Sequence, residues 1–112
     1  MPDNQREIMV NSRTLSQWLH EGTATLIDVR ERHEFVEERI PGSTLHPLSE
    51  FDPYSVPRDE EKHLVFHCAA GVRCGKAAEI IRLNGMHGPV HRLEGGLKAW
   101  KENGGLTEPG NN

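Results

Sequence analysis

The chain has 112 residues, 35% hydrophobic and 27% charged, with a formal net charge of −4. That size suits one compact domain whose core needs no disulfide or metal support. The acidic balance argues against a nucleic-acid partner held on a basic surface. No run nears the roughly 18 apolar residues of a membrane span. The opening MPDNQREIMV has no apolar signal core. The expectation is a cytoplasmic protein without membrane contact. Two cysteines, Cys68 and Cys74, are too few and too close for a secreted disulfide scaffold.

Taken in chain order, residues 1–7 form a polar segment and Ile8-Met9-Val10 a short strand. Asn11 or Thr14 can cap the helix that follows. Thr14 and Gln17 have capping-box spacing, and Leu15, Trp18 and Leu19 form its apolar stripe up to Gly22. Thr25–Val29 reads as a buried strand. Glu31–Arg39 is polar and helical, anchored by Phe35 and ended by Pro41-Gly42. A short strand at Thr44-Leu45-His46 precedes a surface connection over Phe51–Glu61, which carries Pro53 and Pro57. His63–Cys68 is the next strand, Gly75–Asn84 a helix with a broad apolar face, Val90–Leu93 a strand, and Leu97–Asn103 the last helix. The tail after Gly104 is polar and expected to fray. About five short strands alternate with helices. That order predicts an α/β domain over residues 8–106, its parallel sheet covered on both faces, with 107–112 as a tail.

The chemistry concentrates in FHCAAGVRCGKAAEII, residues 66–81. Ligands of open parallel sheets bind beyond the carboxyl ends of strands, and Cys68 sits at such an end. The helix behind it turns free N–H groups and a partial positive charge toward the loop. A loop of small residues, Ala69-Ala70-Gly71-Val72, can curl its N–H groups inward around an anion. The natural anion is the Cys68 sulfur, as thiolate or persulfide. A free thiol titrates near ~8.5, and such surroundings can lower that to about 3.5–7.5. Arg73 supplies a nearby cation, able to attract an anionic donor. A cysteine at a strand end is, by itself, more often a small core residue. The loop, the helix and Arg73 together tip Cys68 toward function.

The stretches LIDVRERHEF, IPGSTLHPL, HCAAGVRCGKAAEIIRLNG and LEGGLKAW resemble, in this order, the motifs of single-domain rhodaneses, the thiosulfate sulfurtransferases. The resemblance covers roughly residues 8–106. It implies a rhodanese-like, three-layer α/β/α fold with a five-stranded parallel sheet. It further implies that Cys68 accepts a sulfane sulfur from a donor such as thiosulfate. The persulfide then passes its outer sulfur to cyanide or a thiol. The family's active loop maps onto Cys68, Ala69, Ala70, Gly71, Val72 and Arg73. No metal or organic cofactor is implied. Two positions depart from the family pattern. Glu38-Arg39 stands where Gly-His is common, and Cys74 where Ser or Thr usually follows the arginine. Cys74 is either a stand-in for that serine or a resolving thiol that attacks the persulfide.

Four rival readings are weaker. Cysteine phosphatases need arginine as the sixth residue after the cysteine; here Arg73 is the fifth and Cys74 the sixth. The stretch Gly71–Ala77 lacks the P-loop spacing and its Ser or Thr. The pairs His63/His67 and His87/His91 are four apart, and four strand residues span about 13 Å, too far to share an ion. A non-catalytic binding module would be expected to lose the cysteine, although sulfur relay to a partner protein overlaps with catalysis. Asp28, Arg30 and Glu34 read as a structural network fixing a strand end to the next helix. Trp18 and Trp100 read as core residues.

Overall fold

The computed structural model describes residues 7–85 and 88–109. Five strands form one wholly parallel sheet: β1 Glu7–Val10, β2 Ala24–Asp28, β3 Thr44–Leu45, β4 His63–His67 and β5 Val90–Leu93. Their spatial order is β1-β5-β4-β2-β3. Among the described residues, three α-helices connect strands, α1 Ser12–Glu21, α2 Arg32–Glu37 and α3 Arg73–Leu83, and α4 Gly96–Glu102 follows β5. The register pairs Asp28 with His67, so β2 and β4 end level and their following loops meet.

Alternation along the strands sorts the apolar residues into two cores, one on each sheet face. Leu26, Val65, Val10 and Leu93 pack with Leu15 of α1 and with Leu97 and Trp100 of α4. Ile27, Leu64 and Phe66 pack on the other face with Ala77, Ala78 and Ile81 of α3. The central strands are apolar on both sides because both sides are covered.

α1 is capped by Asn11, whose side chain accepts the Thr14 N–H at 2.8 Å. Gly22 ends it in the left-handed conformation, φ 74°. The connection over residues 48–56 contains two single 3₁₀ turns, Leu48–Glu50 and Pro53–Ser55, and it buries Pro53 and Val56.

Two expectations need correction. α2 is shorter than its polar pattern suggested, because Glu38 is already extended at φ −162°. The tail does not fray through Pro109. The Trp100 indole N–H donates to the Leu106 carbonyl at 2.8 Å, and Glu108 forms a two-bond antiparallel bridge with Arg39. Composition favours fraying, but these backbone groups find partners across the fold.

α4 holds the loop after β4. Its first N–H groups lack partners within the helix. Leu97 N donates to the Cys68 carbonyl at 2.8 Å and Lys98 N to the Ala69 carbonyl at 3.0 Å. This approach requires glycine at 96, where φ is +61° and a Cβ would lie 2.5 Å from the Cys68 oxygen. Gly96→Ala should therefore lower stability by about 1–3 kcal/mol, read as a reduced denaturant midpoint at unchanged slope. An unchanged midpoint would contradict this packing.

Candidate active site

Cys68 follows β4 directly and is 1% exposed. The next residues turn so that N–H groups converge on its sulfur. Gly71, at φ +98°, donates to Sγ at 3.1 Å. The N–H groups of Arg73 and Cys74, in the first turn of α3, also favour its anionic form. α3 starts at Arg73, two residues before the expected Gly75, since Val72 is already helical at φ −90°, ψ −50°. Hence Arg73 and Cys74 offer orphan helix donors rather than loop donors. Ala69 turns its carbonyl to α4, and Ala70 and Val72 lie exposed on the outer side of the turn.

Cys74 is fully buried beneath this turn. The nearby Cys74 side chain is the largest single cause holding the Cys68 thiol down at about 5. Burial works against that shift and the three backbone donors support it. The same proximity, followed by burial, pushes the Cys74 thiol strongly upward. One sulfur is thus favoured as an anion and the other as a neutral thiol. The Cys74 thiol itself donates to the Gly71 carbonyl oxygen at 3.3 Å.

Arg73 is not a free cation. Its guanidinium makes a bidentate pair with Glu34 of α2, at 2.7 and 3.0 Å. This pairing brings the Glu34 carboxyl down to about 2. Glu34 Oε1 also accepts the Glu31 N–H at 2.9 Å, completing a capping box. The expected grouping of Glu34 with Asp28 and Arg30 is therefore corrected: Glu34 braces the loop. Two Arg73 N–H groups are used, which leaves Nε–H and one N–H on each terminal nitrogen.

Asp28 and Arg30 do form the expected buried pair. The Asp28 carboxylate accepts the Arg30 N–H, Nε and Nη2 at 2.8–3.1 Å. Burial opposes ionisation of Asp28, but His67 and Arg30 outweigh it and hold the carboxyl well below its usual range. His67 is fully buried, with Nδ1 3.3 Å from the Cys68 carbonyl oxygen and Nε2 3.4 Å from Asp28 Oδ2. A polar floor thus runs from Arg30 to the backbone of Cys68.

Arg92 was not singled out by sequence, because one arginine on a short strand carries no motif. Its Nη2 donates to the Gly71 carbonyl at 2.9 Å and its Nη1 to Glu7 at 3.0 Å.

The other histidines lie elsewhere. His63 stacks on Trp18 at 3.7 Å between ring centroids, with His91 edge-on to both. They border a cleft with Thr25, Lys62 and Pro89 at the amino ends of the strands, the opposite end from Cys68. His87 falls outside the described residues. Among the described residues, no group of three or more His, Cys, Asp or Glu side chains is placed to hold a metal ion. Likewise, no helix among them is long and apolar enough to cross a membrane.

The model of the rhodanese-like domain matches residues 12–103. The chain belongs to the rhodanese-like domain family. A rhodanese-family protein from Anabaena, Alr3790, superposes with a TM-score of 0.79 at 27% identity, covering 92% of this chain and 94% of that one. The human thiosulfate:glutathione sulfurtransferase is 33% identical over 102 residues, covering 79% of this chain and 88% of that protein. An uncharacterised Synechocystis protein is 39% identical over 100 residues, 89% of this chain. This chain spans only 55% of that relative's length. A tRNA uridine(34) hydroxylase from Thiobacillus denitrificans is 31% identical over 117 residues, covering 93% of this chain but 47% of that protein. The rhodanese-like family thus includes sulfurtransferases alongside other activities.

Alkylation of Cys68 by iodoacetamide should follow a pH midpoint near 5, because thiolate is the reactive form above that pH. Cys74→Ala should raise the midpoint by about one pH unit or more, whereas Cys74→Ser, which keeps a donor, should raise it less. A wild-type midpoint between 8 and 9, near an ordinary thiol, would refute the cradle.

Proposed function

We propose that this chain is a sulfurtransferase that carries sulfane sulfur as a Cys68 persulfide. The observation that carries the reading is the turn around Cys68 Sγ, in which the Gly71 N–H donates to the sulfur and the first N–H groups of α3 favour its anion. Such a cradle suits an anionic sulfur before and after it is loaded, and no adjacent general base is needed.

In the first half-reaction the Cys68 thiolate attacks the outer sulfur of thiosulfate. A Cys68 S–S bond forms, the sulfur–sulfur bond of thiosulfate breaks, and sulfite leaves with the electron pair. In the second, a thiolate or cyanide attacks the outer sulfur of the persulfide. The product is a low-molecular persulfide or thiocyanate, and the Cys68 thiolate returns. Neither half-reaction needs an external oxidant or a cofactor. The human relative's name supports a thiol acceptor. A sulfur-relay protein as donor or acceptor fits the same two steps.

Arg73 takes a role different from simple charge attraction. Its pair with Glu34 fixes the loop wall, and its remaining N–H groups face an incoming donor anion. The loop spacing weighs against phosphoryl transfer. With arginine as the fifth residue after the cysteine, the turn is one residue shorter than a cysteine phosphatase requires, which favours a sulfur anion over a tetrahedral phosphate.

Incubation with thiosulfate should add one sulfur atom to Cys68, seen by intact-mass and peptide mass spectrometry. Cyanide should remove it, with thiocyanate formed in equal amount. Cys68→Ser should abolish the adduct. Persistence of the adduct in that variant, or turnover of an aryl phosphate without sulfur loading, would overturn the reading.

A further inference from the structure

We infer that Glu34 selects the sulfur donor by charge: its hold on Arg73 turns the mouth of the site against dianions such as thiosulfate and toward donors with a single negative charge, such as the persulfide of a thiol. The inference rests on the sulfur transfer proposed above and names the class of donor that it uses.

The mouth lies where two loops meet. β2 and β4 end level, and the Val29 N–H donates to the His67 carbonyl at 3.0 Å. α2 therefore starts beside the turn that holds Cys68. The cysteine is 1% exposed, so a donor meets the rim before it meets the sulfur. Arg73 and Glu34 are open to solvent at this junction, their side chains 33% and 25% exposed.

Alone, Arg73 would make the rim cationic, but the balance of charge runs the other way. Each Glu34 oxygen takes one guanidinium N–H, at 2.7 and 3.0 Å. Glu34 stays ionised through the neutral range, because Arg73 brings its carboxyl down to about 2. Glu31, at the start of α2, adds a second carboxylate whose charge acts on Arg73. Its own hydrogen-bond donors are the Ser49 N–H and hydroxyl, which carry no net charge. One guanidinium thus stands against two carboxylates. Neighbouring cations have none to spare: Arg30 is matched by Asp28, Arg92 by Glu7 and Lys98 by Glu102.

A dianion pays twice the electrostatic cost of a monoanion at such a rim. A persulfide brings one negative charge, or none when protonated. Its transfer balances without a further reactant. The Cys68 thiolate attacks the outer sulfur and a new sulfur–sulfur bond forms. The donor's own sulfur–sulfur bond breaks, its thiolate leaves with the electron pair, and the outer sulfur keeps its proton.

The test removes one charge. Glu34→Gln keeps an acceptor for the Glu31 N–H and for Arg73, so α2 keeps its capping box. Neutral iodoacetamide and anionic iodoacetate read the mouth without sulfur chemistry, with Cys68 modification followed by peptide mass spectrometry. Their rate ratio cancels any change in thiolate fraction. The ratio of iodoacetate to iodoacetamide should rise about threefold in Glu34→Gln at low salt, and the rise should vanish near about 1 M salt. With sulfur donors, kcat/KM should rise about threefold for monoanionic methanethiosulfonate and about tenfold for thiosulfate, twice the logarithmic change. Glu60→Gln removes the same charge beside the cleft at the opposite end of the sheet and should move neither ratio. In the wild type, added salt should raise kcat/KM for thiosulfate more steeply than for methanethiosulfonate. An unmoved alkylation ratio in Glu34→Gln, equal factors for the two donors, or a wild-type kcat/KM for thiosulfate that falls with salt would overturn the inference. If neither donor loads the wild-type protein, sulfur transfer fails as a reading, and the alkylation ratio still decides whether Glu34 screens anions.

Discussion

The site depends on how α4 meets the turn after β4. Two orphan N–H groups at the start of that helix take the carbonyls of Cys68 and Ala69. These bonds anchor the start of the turn, and the Gly71 N–H further along it meets the Cys68 sulfur at 3.1 Å. The capping of one helix thus holds the backbone that surrounds the sulfur. It also explains why the chain places two glycines before α4: backbone must touch backbone, and a Cβ at position 96 would fall on the Cys68 oxygen.

Charge around the sulfur is arranged in pairs rather than left free. Asp28 and Arg30 are almost wholly buried and satisfy each other through several bonds. Glu34 takes up Arg73, and Glu7 takes up Arg92. The anion at the centre is favoured chiefly by the Cys74 side chain and by the backbone N–H groups of Cys74, Gly71 and Arg73. Backbone dipoles of this kind are fixed in place and need little rearrangement when charge develops on the sulfur. The division of labour between the two thiols follows from position. Cys68 lies at the focus of the donors, whereas Cys74 lies in the helix turn under it and receives no comparable set.

The fold was legible because periodicity and punctuation agree in this chain. Short strands with apolar centres, glycines after helices and the alternation of elements together specify a parallel sheet. Cys68 and its turn were legible for the same reason, since a strand end, small residues and a helix start are local features. What remained hidden was non-local. Nothing in the sequence ties Glu34 to Arg73, 39 residues away, or Arg92 to Gly71, 21 residues away. Glu34 belongs equally well to the Asp28–Arg30 network until the α2 start is seen. The tail was misjudged because its composition is polar, while its bonds to Arg39 and Trp100 run mainly through backbone groups that composition does not report.

Those tail bonds have a consequence for the mouth of the site. Arg30 reaches the Glu38 carbonyl at 2.6 Å, and the Glu38 carboxylate takes Lys101 of α4 and Thr107 of the tail, both at 2.8 Å. Together with the Arg39–Glu108 bridge they form a hoop that joins the end of α2 to the end of α4. α2 supplies one wall of the opening through Glu34, and α4 supplies another through its N-terminus. Walls tied together behind the site cannot part without breaking the hoop. For the proposed sulfur transfer, selection among donors becomes a matter of fitting a fixed aperture, as a die admits only stock of its own gauge.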